Sequence, residues 1–175
     1  MEYTKAANGV SLLPQEAIDE ILEIVRDTRD LPGAIVEAGA YKCGTTLEIA
    51  KADPAKKVYA LDAFGGASST FSETNFEGAK KYTESQSNIS LVAGNIIDTA
   101  RQVNEPVSIL FIDCDDYAPA VAVLEAIPKK MPVGGKIIVD DAEFDGIVKA
   151  FAGWDSTGWS DKKLPSGLVV YTREA

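Results

Sequence analysis

Short apolar runs alternate along the chain with segments whose apolar positions recur every three to four residues. From Pro14 to Arg29 the positions Ile18, Ile21, Leu22 and Val25 fall at helical spacing. Pro14 suits a first helical turn, and Leu31-Pro32-Gly33 ends the segment. Runs rich in β-branched residues follow at 34–38, 58–61, 89–92, 107–112, 134–139 and 167–172. Segments able to form helices lie between most of them, at 44–52, 74–86, 96–103, 117–127 and 142–152. Val107–Ile112 and Lys136–Val139 are nearly continuous in hydrophobicity, as strands of a parallel sheet covered by helices on both faces must be. The pattern predicts an α/β fold: a Rossmann-like, doubly wound sheet of six or seven strands. Residues 1–32 read as an N-terminal helical appendage and 33–175 as a single domain, with no internal repeat or linker. The longest turn-rich stretch, Phe64 to Asn75, reads either as a surface connection or as a flap over a site.

Composition narrows the partners. The 175 residues, 46% apolar and 25% charged, suffice for a substantial core. A formal charge of −10, from 27 acidic and 17 basic residues, argues against a nucleic-acid partner, which needs cations to displace counterions from phosphates. No apolar run approaches the ~20 residues that cross a bilayer. The N-terminus has no basic stretch followed by an apolar block, and two cysteines, Cys43 and Cys114, make no disulfide framework. A cytoplasmic protein acting on a small molecule is expected. The chain also lacks histidine, the commonest general base and zinc ligand.

Ligands of open α/β sheets bind beyond the carboxyl ends of the strands. Those ends carry Glu37, Asp62, Gly94-Asn95, Asp113 and Asp140-Asp141, so four of five bear a carboxylate. The first turn reads Glu37-Ala38-Gly39-Ala40-Tyr41-Lys42-Cys43-Gly44-Thr45-Thr46. A dinucleotide fingerprint would place a second glycine where Tyr41 stands and would cradle a pyrophosphate. Tyr41 obstructs that approach, and Glu37 would repel the anion. The turn suits a cationic ligand without phosphate, as S-adenosylmethionine is. Asp62 is placed to accept from ribose hydroxyls, with Ala63 and Phe64 beside it, and Gly94-Asn95 to border the adenine. Asn95 serves equally well as a helix cap. If the strands ending in Asp113 and Asp140-Asp141 are neighbours, their carboxylates converge and repel each other unless a cation sits among them. Oxygen donors without His or Cys favour Mg²⁺, Mn²⁺ or Ca²⁺. The competing reading has Asp141 cap a helix and Asp113 serve the cofactor.

Taken in order, these motifs resemble class I S-adenosylmethionine-dependent methyltransferases, and among them the macrocin O-methyltransferase family. The resemblance rests on Val36-Glu37-Ala38-Gly39, Asp62-Ala63-Phe64-Gly65-Gly66, Asp98-Thr99, Asp113-Cys114-Asp115-Asp116-Tyr117 and Gly134-Gly135 running to Asp140-Asp141. It implies a seven-stranded sheet whose last strand, near 167–172, runs antiparallel. It implies cofactor contacts from Glu37, Gly39, Tyr41, Thr45, Thr46, Asp62, Ala63, Phe64, Gly94, Asn95 and Asp113. It further implies Mg²⁺ on Asp113, Asp140 and Asp141, with O-methylation of a sugar or other small-molecule hydroxyl. With no histidine available, Asp113 is the expected proton acceptor. Catechol-type relatives carry lysine three residues after the first metal aspartate; Asp116 stands there, which disfavours a catechol acceptor. A metal-free methyltransferase, a nicotinamide oxidoreductase of the same fold class, against which Tyr41 speaks, and a non-catalytic binder of S-adenosylmethionine are the alternatives. Phe151, Trp154 and Trp159 read either as the lining of an acceptor pocket or, the favoured reading, as core or subunit-interface aromatics, which leaves a homo-oligomer open.

Overall fold

A computed structural model describes residues 10–65 and 75–175. Thirteen elements follow one another: α1 (Gln15–Asp27), β1 (Ala34–Ala38), α2 (Gly44–Ala52), β2 (Val58–Asp62), α3 (Phe76–Thr83), β3 (Ile89–Ala93), α4 (Ile96–Thr99), β4 (Val107–Ile112), α5 (Tyr117–Ala126), β5 (Lys136–Val139), α6 (Asp145–Ala152), β6 (Trp159–Lys163) and β7 (Val169–Arg173). The strands form one seven-stranded sheet in the order β3-β2-β1-β4-β5-β7-β6. The first five run parallel, and β7 is antiparallel to both β5 and β6. This is the expected Rossmann-like mixed sheet with a reversed last strand.

Alternate residues of the central strands enter two different cores, which explains their unbroken hydrophobicity. Val36, Leu110, Ile112, Ile137 and Val139 pack with α5 and α6. Ile35, Ile109, Phe111 and Ile138 face the other way, against α1 and α2. Residues 1–32 were expected as an appendage; α1 within them buries Ile18, Ile21 and Val25 in that second core, beside Leu168 and Val170. The helix is therefore a layer of the domain, held by the apolar stripe that predicted it.

Two elements departed from their expected form. The helix expected over 96–103 is a single turn, α4, followed by a 3-10 turn at Ala100–Gln102. The strand β6, Trp-Ser-Asp-Lys-Lys, was not foreseen, because an edge strand exposed along most of its length carries no hydrophobic alternation. Among the described residues no helix is long and apolar enough to cross a membrane.

Register decides where the chemistry gathers. Ala38 pairs with Leu61 on one side and Ile112 on the other, and Ile112 pairs with Val139. The residues that follow, Gly39, Asp62, Asp113 and Asp140, therefore stand along one rim. Backbone bonds lock it: Gly39 N–H donates to Leu61 O, Asp113 N–H to Ala38 O and Asp140 N–H to Ile112 O, at 2.9, 2.9 and 3.0 Å. Strand order reverses at β1, which has β2 on one side and β4 on the other, so a crevice opens above it.

Candidate active site

The turn after β1 is built by close approach. At Gly39 φ is +97°, and a Cβ there would stand 1.9 Å from the carbonyl oxygen of Asp113. Only glycine fits. Tyr41 and Cys43 also take left-handed conformations, with φ of 49° and 63°. Asp62 steadies that strained stretch: its carboxylate accepts from Tyr41 N–H at 2.8 Å and from Phe64 N–H at 2.7 Å. Burial raises the Asp62 pKa, and these backbone donors counter the rise.

A cleft over the sheet rim is lined by Leu12, Gly39, Tyr41, Asp62, Ala63, Gly94, Asn95, Ile96, Asp113, Cys114, Asp115, Asp116, Pro119 and Asp141. Eight of the expected site residues thus share one cavity: Gly39, Tyr41, Asp62, Ala63, Gly94, Asn95, Asp113 and Asp141. Asn95 does both things foreseen for it, facing the cleft and capping α4 by accepting from Ile97 N–H.

Five others lie off the wall. Glu37 is 1% exposed and accepts a hydrogen bond from the Thr46 hydroxyl. Burial pushes its pKa up to about 8, so near neutral pH it is mostly protonated and supplies little charge toward a cation. Thr46 is occupied by that bond, and the Thr45 hydroxyl pairs with Ser11 Oγ at 2.8 Å. Phe64 is buried, its ring edge-on to Phe76 at 5.8 Å. Asp140 interacts with Asp113. Of the stretch expected as a connection or flap, 66–74 lies outside the described residues.

The carboxylates at the ends of β4 and β5 come together as expected, and Asp115 joins them. Asp113 lies close enough to Asp140, and Asp115 to Asp141, for each pair to perturb the other's titration. Two neighbouring carboxylates repel, and protonating one relieves the repulsion. Burial, then the charge of Asp140, holds the Asp113 pKa well above the ordinary range. Burial, then the charge of Asp141, lifts Asp115 to about 6. Among the described residues no three such side chains are placed to hold a metal ion. Chemically the donor set suits a hard divalent cation, since every member is a carboxylate oxygen.

Asp115, which takes a left-handed conformation with φ of 58° and lines the cleft, was missed. Its place in the Asp113-Cys114-Asp115 triplet was the available signal. Leu12 was missed because it lies in the part of the chain read as an appendage.

Comparisons with known proteins agree with this fold. A family model described as a methyltransferase domain matches residues 36–142. No curated protein matches the chain. Among solved structures, the chain is similar to the O-methyltransferase NovP, at 18% identity over 97% of this chain and 84% of that one, with a TM-score of 0.82. It is similar to the apo form of CalS11, TDP-rhamnose 3'-O-methyltransferase of calicheamicin biosynthesis, at 18% identity over 94% of this chain and 82% of that one, with a TM-score of 0.76. It is also similar to SMU.1697c from Streptococcus mutans in complex with SAH, at 15% identity over 89% and 97%, with a TM-score of 0.64. Likeness at such identities establishes the fold.

Proposed function

The chain belongs to the methyltransferase-domain family and is an S-adenosylmethionine-dependent methyltransferase; from that premise we propose that it methylates a hydroxyl oxygen of a small molecule, with Mg²⁺ assistance. The observation that carries this reading is that Asp113, Asp115 and Asp141 line one cleft with the nucleoside-side residues Asp62, Gly94 and Asn95, with Asp140 interacting with Asp113.

The cofactor, when bound, supplies an electrophilic methyl carbon on a sulfonium. Asp62 would accept from its ribose hydroxyls, and Gly94, Asn95 and Ile96, which line the same cleft, would border its base. Mg²⁺ held by Asp113, Asp140 and Asp141 would supply Lewis acidity toward the acceptor hydroxyl. Proton removal then falls to the chain itself. Asp113 is half-buried, and burial with the charge of Asp140 holds its pKa well above the ordinary range. Asp115 lies on the cavity wall with a pKa near 6, within the range where a general base works best at neutral pH. Asp115 is therefore the better proton acceptor, and Asp113 the better ligand. Both act on an oxygen held close to the methyl carbon, where orientation contributes much of the rate.

The test is methyl transfer from labelled S-adenosylmethionine to a panel of hydroxylated acceptors, with and without EDTA, for wild type and Asp140→Ala. Turnover lost in both conditions supports the metal-assisted reading. Turnover that survives chelation and Asp140→Ala alike rules it out. The second reading is a metal-free methyltransferase, which the EDTA arm identifies directly.

A further inference from the structure

The cleft occupies the carboxyl ends of the parallel strands. A second cavity, of about 390 Å³, opens at the opposite end of β5, between the last turn of α1 with Leu31 and the strands β5, β7 and β6. Lys136, which opens β5, Thr172 on β7 and Lys162 on β6 stand on its wall. Register puts them on one face of the sheet. Lys136 lies opposite Thr172, and Val170 lies between Ile138 on one side and Lys162 on the other. Residues directly opposite, or two apart along a strand, share a face. Ile138 and Val170 belong to the core beneath α1, so the cavity is the margin of that layer, where α1 has ended and the sheet continues.

The wall has two chemical characters. Ile24, Leu31, Leu164 and Val170 supply apolar surface, and the lysines supply charge. Among the described residues neither lysine forms an ion pair. Lys136 is half-buried, and its ammonium donates to Thr172 Oγ1 at 3.0 Å. An ammonium has three donors, so Lys136 has capacity left, and the Thr172 hydroxyl, accepting there, keeps its own proton to donate. The chain as a whole carries 27 acidic and 17 basic residues, whereas this wall sets two lysines against one carboxylate, Asp27. The local sign is reversed, and it favours an anion. Asp27 would oppose the second charge of a phosphate monoester, while a carboxylate carries only one.

We propose that this cavity is a binding site for a monocarboxylate with an apolar body. The carboxylate accepts from Lys136, Thr172 and Lys162, and the body lies against Ile24, Leu31, Leu164 and Val170. Apolar walls with a few polar groups that fix orientation are the usual make-up of a small-molecule site, and the volume suffices for one. The cavity shares no residue with the cofactor cleft, so this proposal and the methyl-transfer reading stand or fall separately.

Phenylpropionate is the probe, with phenylpropanol as the same body without charge and acetate as the charge without the body. Each is titrated into the intact isotope-labelled protein while amide shifts are followed by NMR. Phenylpropionate is expected to give saturable shifts around Leu31, Gly134 and Leu164, with a Kd of about 1 mM or lower. It should bind about tenfold more tightly than either counterpart. Lys136→Met, which keeps the apolar stem, should weaken it about tenfold, and Lys162→Glu, on the exposed edge strand, about fivefold. Affinity for S-adenosylhomocysteine should stay within about twofold of wild type in both variants. Equal binding of phenylpropanol and phenylpropionate would overturn the proposal, because the cavity would then be an apolar hole only. So would shifts confined to the cofactor cleft, the absence of any saturable shift, or unchanged phenylpropionate affinity in either folded variant. If Lys136→Met fails to fold, Lys162→Glu and the phenylpropanol comparison still decide.

Discussion

Replacing Gly39 with alanine puts the close approach at the site to a direct test. The added Cβ would lie 1.9 Å from Asp113 O, 2.6 Å from Asp113 C and 3.0 Å from Cys114 Cα, all backbone atoms that cannot rotate away. At φ +97° an L side chain is strained as well. Strain of this kind costs about 1–3 kcal/mol, and forcing an extra carbon into a packed site costs about another 1–3 kcal/mol. Relief requires β1 and β4 to part at their carboxyl ends, against the 2.9 Å bond from Asp113 N–H to Ala38 O. A loss of about 4 kcal/mol is expected. In a domain of this length that lowers Tm by about 8–16 °C, and binding of S-adenosylhomocysteine should weaken because Asp113 moves. Thermal unfolding followed by circular dichroism measures the first effect and calorimetry the second. Gly153→Ala is the control: Gly153 has φ −91°, and its added Cβ meets nothing nearer than 3.7 Å. A Gly39→Ala protein melting within about 2 °C of that control would refute the reasoning.

Further outcomes follow from the buried acids. Glu37, raised to about 8 when folded and near 4.5 when unfolded, holds its proton in the native state across that window. Native protein binds more protons there, so the Glu37 contribution to stability is present below about pH 4.5 and fades as pH climbs toward 8. Glu37→Gln should therefore raise Tm at pH 8 and leave it unchanged at pH 4.5, read from melts across pH. Asp115→Asn should lower turnover by about 10²–10⁴-fold while S-adenosylhomocysteine affinity stays within about twofold. Asparagine tolerates the left-handed backbone at that position, so the loss reports the carboxylate. Mg²⁺ affinity, measured by calorimetry, should rise from pH 5 to 7, because ligands with raised pKa values must release protons before they bind a cation.

The strand ends were legible because register in a parallel sheet converts position in an apolar run into position on the rim. Asp62, Asp113 and Asp140 needed nothing else. Side-chain direction was less accessible. Glu37, Thr45 and Thr46 belong to the same turn as Gly39, but hydrogen bonds to one another or to Ser11 draw their polar atoms away from the cleft. No periodicity reports such pairings. Asp115 stands where the backbone turns left-handed at a single residue, and β6 depends on pairing with a strand that follows it in sequence. Leu12 was invisible for a related reason: its place at the cleft comes from contacts more than thirty residues away along the chain.

The strand order has a consequence for assembly. β7 comes last in the sequence yet lies inside the sheet, between β5 and β6, and Val170 with Leu168 completes the core beneath α1. The five parallel strands that carry the cleft are all synthesised before it. During synthesis, Lys136–Val139 must wait as an open edge until Val169–Arg173 arrives and pairs with it. The hazard of self-association through an unpaired edge therefore falls on that interval, and the rate at which the β6–β7 hairpin docks sets how long it lasts.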